Sequence, residues 1–517
     1  MPLRASLLAL AASLGLGLAA PALAQDTLRI RLNADIRSTD PGVNRDANTD
    51  GLVWHVLEGL VALRDDATIA PMLAERVDVS PDGLAYTFRL RSGVRFHNGQ
   101  ALSSADVAFA MQRYRARETN WRCRGDLDGP VTRITAIETP DPQTVVMRLE
   151  RPSALFLLTL ARPDCGQTGI FHRDSLNADG SWRAPVGTGP FRLGEWRRGQ
   201  FVELERFAEY AALPGEPDGL AGNKTPLVER VRFTIIPDDA AARAALLASN
   251  IDVLPDARTR DLRDLRARPG MSVSSSASFD LQIILMQTND PLLRDVRMRR
   301  AIALALDVPE IVRAVTEGSS RPSRSPIPVG SGFHTPAMSQ VPARDLAAAR
   351  RLAQEAGYRG QPIRIVTTRR YEAFYEIAIL AQDMLREAGI NLELEVLEWA
   401  TQLQRYTRGE YQMMSFGFSA RLDPSLSFEM FTGPKASEPR KAWDNPAVQA
   451  MLEESMRETD RARRSALFEA MFRQLLEDAP VVALYSSTTH AVTPAHVQGY
   501  RTWAVDAPRT WGVRVRR

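Results

Sequence analysis

Between Pro362 and Trp399 the chain spells strand, helix, strand with almost no linker: PIRIVTT, EAFYEIAILAQDMLREAG, INLELEVLEW. In the middle run Ile377, Leu380, Ala381, Met384 and Leu385 recur at helical spacing, and Gly389 ends the helix. The last run alternates Leu392, Leu394 and Val396 with polar residues, which is the period of a strand. Two strands joined through one helix lie parallel with a right-handed crossover, so this half of the molecule has an α/β plan. Another capped helix, DLAAARRLAQEAG, precedes the unit, with Asp345 at its start and Gly357 at its end. The Ser-, Pro- and Arg-rich stretch Ser320 to Gly332 is expected to be an exposed loop within this half.

The first half has a different grammar of short strands and turns. DGLAYTFRLRSGVRFHNGQ gives two strand-like runs broken at Ser92-Gly93, and ITAIETPDPQTVVMRLE gives strand, turn, strand. Between them SSADVAFAMQRYRARE is a helix capped by Ser103 with Asp106, its inner stripe formed by Val107, Ala110, Met111 and Tyr114. Further on, GTGPF (187–191) carries the glycines of a phosphate cradle. A P-loop needs a lysine, which is absent; Pro190 removes a backbone N–H; and Arg192 stands where a dinucleotide fingerprint has its third glycine. The stretch is a turn leading into a strand pair, PFRL and FVELER.

At 517 residues the chain exceeds one ordinary core, and two or three domains are expected. A net charge of +3 spread over that length gives no basis for nucleic-acid binding. Residues 1–24 combine a basic start at Arg4, an apolar run and Ala22-Leu23-Ala24 before Gln25, the pattern of a secretory leader cleaved between Ala24 and Gln25. With no cysteine at that point, lipidation is not expected, and the mature protein should be free in an oxidising compartment such as the periplasm. There a single disulfide between Cys123 and Cys165, the only two cysteines, is the economical reading; two separate buried thiols are the alternative. Two cysteines without spaced histidines complete no zinc site. The six histidines are scattered, and Pro494 interrupts the closest pair, His490 and His496. GxSxG, HExxH and SxxK are all absent, so no catalytic residue, metal or cofactor is assigned.

APMLAERVDVSPDGLAYTFRLRSGVRFHNGQALSSADVAFAM resembles the signature of the extracellular solute-binding proteins of family 5, the peptide, opine and nickel receptors of ABC importers. GTGPFRLGEWRRGQ, DVRMRRAIALALD, ARRLAQEAGY and ILAQDMLREAGINLELEVLEW continue the likeness in order along nearly the whole mature chain. The resemblance implies a type II periplasmic-binding-protein fold in its large form: two lobes, a hinge and an inserted subdomain. Lobe I would comprise 25–70, 180–266 and 486–517, with the insert at 71–179; lobe II would be 267–485. It also implies a monomeric receptor that closes on a small peptide-like or anionic solute and presents it to a membrane permease and ATPase. The peptide receptors of the family hold the ligand ammonium with an aspartate three residues before an acid-proline pair. Here that pair is Asp423-Pro424, and the position holds Ala420, followed by Arg421. Arg369, just before Arg370-Tyr371, matches the carboxylate-binding arginine of the dipeptide receptors. The expected ligand-binding positions are therefore Arg369, Ala420, Arg421 and Asp423, with an anion clamp kept and an ammonium clamp lost. A periplasmic scaffold without a dedicated small ligand is the alternative, and an enzyme on this fold is disfavoured for want of a nucleophile and base.

Overall fold

The computed structural model describes residues 27–43, 46–129, 132–505 and 507–516. The leader, with its cleavage point at Ala24 and Gln25, lies outside the described residues.

The first sheet runs in the spatial order Thr27–Leu32, Arg230–Ile235, Phe201–Arg206, Phe191–Arg197. Its first pair is parallel and the others antiparallel. GTGPF enters it as a turn and strand start. A Cβ at Gly187 would fall 2.0 Å from the Val56 carbonyl oxygen, and one at Gly189 would fall 2.5 Å from that of His55, so both glycines serve close backbone approach. His97 ties the same turn, accepting from the Gly187 N–H at 3.2 Å and donating to the Gly189 carbonyl at 3.0 Å.

A second, antiparallel sheet has the order Ala74–Val79, Ala85–Leu90, Thr144–Leu149, Ile134–Asp141. The second run expected after Ser92-Gly93 is not a strand; it keeps only an isolated bridge between Arg95 and Ala101, because the chain turns at once through the positive φ of Gly99. Helix Ser104–Arg115 lies on this sheet, begun by the Ser103–Asp106 capping box, with Val107, Ala110, Met111 and Tyr114 wholly buried. One apolar core runs through both sheets, from Leu28 and Phe233 to Phe88 and Met147. The structure joins Cys123 to Cys165 at a Cα separation of 5.9 Å.

The third sheet has five strands in the order Leu392–Val396, Ile363–Thr367, Met413–Phe418, Leu281–Met286, Val481–Tyr485. The first three are parallel and the last two antiparallel additions. Helix Glu372–Glu387 supplies the crossover and buries Ile377, Ala381 and Leu385 on one face. The other face is covered by a layer containing Phe428, Phe468, Met471 and Leu475. Burial on both faces suits a mostly parallel sheet.

Two strands, Met271–Ala277 and Thr488–Pro494, pair antiparallel over seven residues between the third sheet and the rest. In the two-lobe reading given above, this pair would be a crossing between the lobes.

Ser320 to Gly332 is a correction. Ser323 to Pro328 are buried, Pro322 bridges Tyr485, and the Ser323 N–H donates to the Leu484 carbonyl at 2.8 Å. The loop covers the free edge of strand Val481–Tyr485, a demand of the sheet that loop composition does not reveal. It carries Arg324 inside, where burial pushes the guanidinium down to about 10 and leaves Nε without a partner among the described residues.

Candidate functional site

Strands Ile363–Thr367 and Met413–Phe418 run the same way and end at one edge of the third sheet, where the antiparallel neighbour Leu281–Met286 begins. The carboxyl ends of strands in an open α/β sheet are the usual place for a ligand crevice. A cavity of about 470 Å³ lies at this edge, within the size range of small-molecule sites.

Its apolar wall is an aromatic shelf. Tyr406 stacks on Phe416 at 4.6 Å, Trp399 stacks on Phe416 at 5.7 Å, and Tyr371 meets Trp399 edge-on at 4.9 Å. Tyr371 and Leu403, exposed by 43% and 41%, are two of the five large hydrophobics left markedly exposed among the described residues. Unlike the core aromatics, they present free apolar surface.

The polar wall comprises Asp280, Gln282, Ser419, Arg421 and Arg440. Arg421 is half buried, and burial lowers its pKa against the opposing pull of Glu429. Its backbone N–H donates to the Phe279 carbonyl at 3.1 Å, anchoring the loop after Phe418.

Of the expected positions, only Arg421 lines this cavity. Arg369 is exposed, its guanidinium 4.6 Å over the Tyr375 ring and bonded to the Tyr375 hydroxyl at 3.0 Å. Ala420 is exposed in the loop. Asp423 is buried and engaged by protein groups: it caps helix Pro424–Glu429 through the Ser425 N–H and holds Arg464 with both oxygens, at 2.7 and 2.9 Å. Asp280, Tyr371, Phe374 and Trp399 were missed. The signal for the three aromatics was aromatic density just past the strand ends, in RRYEAFYE, LEWA and SFGFS, while Asp280 carried no such signal. Cys123, Asp164 and Cys165 form the one cluster of candidate metal ligands among the described residues, and its two sulfurs are bonded to each other.

The loop that carries Arg421 and the helix after it also meet residues from the first part of the chain. Leu422 and Leu426 pack against the cluster containing Trp54, Leu158 and Trp503. Nearby, the Ala154 N–H donates to the Met456 carbonyl at 2.9 Å, and the Gly332 N–H to that of Asp66 at 2.8 Å. The charges of Arg162 and Asp164, on the disulfide segment, also act on Arg421.

Residues 68–439 match the profile of the bacterial extracellular solute-binding proteins, family 5, middle region. The chain is 24% identical over 463 residues to the di/tripeptide-binding protein 1 of Pseudomonas aeruginosa, covering 85% of this chain and 84% of that protein. The fold is shared with HbpA2 from Haemophilus parasuis, with a TM-score of 0.83, 24% identity, and coverage of 95% of this chain and 100% of the other. It is shared also with the ABC transporter-associated periplasmic binding protein DppA from Helicobacter pylori in complex with the peptide STSA, with a TM-score of 0.69, 24% identity, and coverage of 95% and 99%.

Proposed function

The chain belongs to the bacterial extracellular solute-binding proteins of family 5, and from that premise we propose that it is the periplasmic receptor of an ABC importer, taking a small peptide-like or anionic solute. The observation that carries this reading is the aromatic cavity at the strand ends of lobe II, beside a two-strand hinge and facing lobe I. The names of the relatives, a di/tripeptide-binding protein and a peptide-bound periplasmic protein, support the solute class and do not favour a scaffold without a ligand.

The mechanism is an equilibrium between open and closed lobes. Contacts made on both walls only when the cleft is shut give the ligand its differential affinity for the closed form, which the permease and ATPase then read. No bond is made or broken, so the protein is not an enzyme in this reading. Removal of residues 1–24 between Ala24 and Gln25 leaves an unlipidated monomer. Arg421 faces the solute, Ala420 leaves room beside it, Asp423 fixes the loop through Arg464, and Arg369 stands near the rim, two residues before Tyr371.

Native mass spectrometry of protein drawn gently from its own periplasm should show a retained small molecule. X-ray scattering should then give a smaller radius of gyration with that molecule than after its removal. A bare protein whose radius answers to no periplasmic extract would defeat the reading.

A further inference from the structure

A charge inventory of the cavity, resting on the receptor reading, narrows the solute. One carboxylate, Asp280, lines it, and a second, Glu429, stands behind the lining Arg440. Asp280 accepts four hydrogen bonds: Oδ1 from the Ser278 hydroxyl at 2.5 Å and the Ser487 N–H at 2.6 Å, Oδ2 from Gln282 Nε2 at 3.1 Å and the Ser487 hydroxyl at 2.6 Å. A carboxylate has about four lone-pair sites, so Asp280 has none to offer. Glu429 is shared by Arg440 at 3.2 Å and by the buried Lys441. Arg440 is itself balanced by Glu438 at 2.9 Å.

Arg421 is balanced by no such partner. Nη1 donates to the Ser419 carbonyl, the Ser419 hydroxyl and the Ala420 carbonyl at 3.0, 2.8 and 3.1 Å, and Nε rests 3.1 Å from the Met430 sulfur. These acceptors are all neutral. Nη2 has no hydrogen-bond partner, and no carboxylate lies within ion-pair distance of the guanidinium, among the described residues. Glu429 and Asp164 pull on this half-buried cation only from beyond ion-pair distance, so it lacks the close, hydrogen-bonded counter-charge that burial normally requires. The cavity therefore offers one cation with an open donor, an apolar shelf with two exposed members, and an acid whose acceptor sites are all filled.

We propose that the cavity takes an amphipathic anion lacking a free ammonium: a carboxylate against Arg421, with an aromatic or branched apolar arm on Trp399, Phe416, Tyr371 and Leu403. An N-acylated amino acid or amino-blocked short peptide is the simplest molecule of that class. The carboxylate would give Nη2 a charge-assisted bond, and the arm would cover Tyr371 and Leu403. A free ammonium would lose its hydration beside Arg421, with the acceptor sites of Asp280, the acid that lines the cavity, already filled.

The test is calorimetry on the mature protein with three probes: acetyl-Leu-Phe, its C-terminal amide, and unblocked Leu-Phe. Acetyl-Leu-Phe should bind tightest, and each of the other two about tenfold or more weaker, the scale of one charged hydrogen bond. Arg421→Gln should reduce the preference for acid over amide to about threefold or less, while its melting curve follows wild type. If that variant does not fold, the wild-type ranking of acid, amide and amine decides alone. Leu-Phe binding as tightly as acetyl-Leu-Phe overturns the inference and leaves the receptor reading intact. Failure of all three probes also overturns it, and the receptor reading is then judged separately by the ligand retained from the periplasm.

Discussion

In lobe I, Glu58 and Lys224 lie 3.3 Å apart with both side chains fully buried. Thr188 and Tyr210 donate to Glu58 at 3.0 and 2.9 Å, while Lys224 also reaches the Trp54 carbonyl at 3.3 Å and lies 4.9 Å from the centre of the Trp511 ring. In lobe II, Arg421 sits half buried at the cavity with neutral acceptors only. Both are charges taken partly or wholly from water. The first network is closed to solvent and specifies packing; the second opens on a cavity, and in the reading proposed above the solute completes it. Burial alone does not separate a structural charge from a binding one. The state of its partners does.

If that distinction holds, breaking the closed network should have the largest effect, and on folding rather than binding. Glu58→Ala leaves Lys224 in the core without its counter-charge and strips two hydroxyls of their acceptor, for an expected loss of about 5 kcal/mol in urea unfolding. A loss below about 1 kcal/mol would mean that the pair is hydrated and that lobe I is not closed there. Next comes the covalent staple. Cys123 and Cys165 close a loop with a sequence separation of 42, so reducing it, or replacing both cysteines with serine, should remove about 4 kcal/mol in the loop-entropy account. Intact mass of the secreted protein should rise by two hydrogens on reduction. Free thiols titrating in the native protein would remove the staple from lobe I.

Acid should strain lobe I before it touches the cavity. Burial holds His55 down at about 3 and His97 at about 4. From about pH 6.5 downward the unfolded chain protonates both histidines while the folded chain keeps them neutral, so stability present above that pH is lost as pH falls. Asp50 acts in the opposite sense. Burial, opposed by Arg122, raises it to about 7, so in the folded chain it takes up a proton below pH 7 that the unfolded aspartate takes up only near 3.8. From these three groups, two protons favouring the unfolded chain against one favouring the folded chain give a loss of about 1.4 kcal/mol per pH unit between roughly pH 6 and 4; burial also lowers His334 and His490, which adds to it, and raises Asp40 and Glu376, which opposes it. Denaturation midpoints at pH 7, 6 and 5 measure this slope; a flat profile would show that the two histidines are solvated.

The architecture was legible wherever periodicity alone determines structure. The βαβ unit at 363–396 and helix Ser104–Arg115 each have an apolar stripe that admits one packing. The covering loop was not legible, because Ser323 to Pro328 have a loop's composition and are buried only by the edge strand they meet. The cavity was half legible. Arg421 could be found beside its acid-proline pair, but Asp280, Tyr371 and Trp399 come together only when strands distant in sequence align in one sheet. Asp423 shows the limit most clearly: its partner Arg464 lies on another helix, and no local pattern links the two.

The smallest effect sharpens the comparison furthest, because it concerns two arginines that look alike in sequence. Arg369 is exposed and, among the described residues, held only by Tyr375, through its hydroxyl and ring. Water screens a charge in that position, so its attraction for an anionic solute acts mainly during approach and fades as salt shortens the Debye length to about 8 Å at physiological ionic strength. Arg369→Ala should therefore weaken binding of an anionic ligand by about threefold or less at low salt, through a slower association rate, and by nothing measurable above about 0.3 M salt. The half-buried Arg421 is screened less, and the effect of Arg421→Gln should persist in salt. Stopped-flow association rates and calorimetric affinities for both variants, at low and high salt, separate the two roles. A loss of tenfold or more for Arg369→Ala that survives high salt would place Arg369 in direct contact with the bound solute, and would require the segment Thr368–Tyr371 to turn its arginine away from Tyr375 and into the cleft when the lobes close.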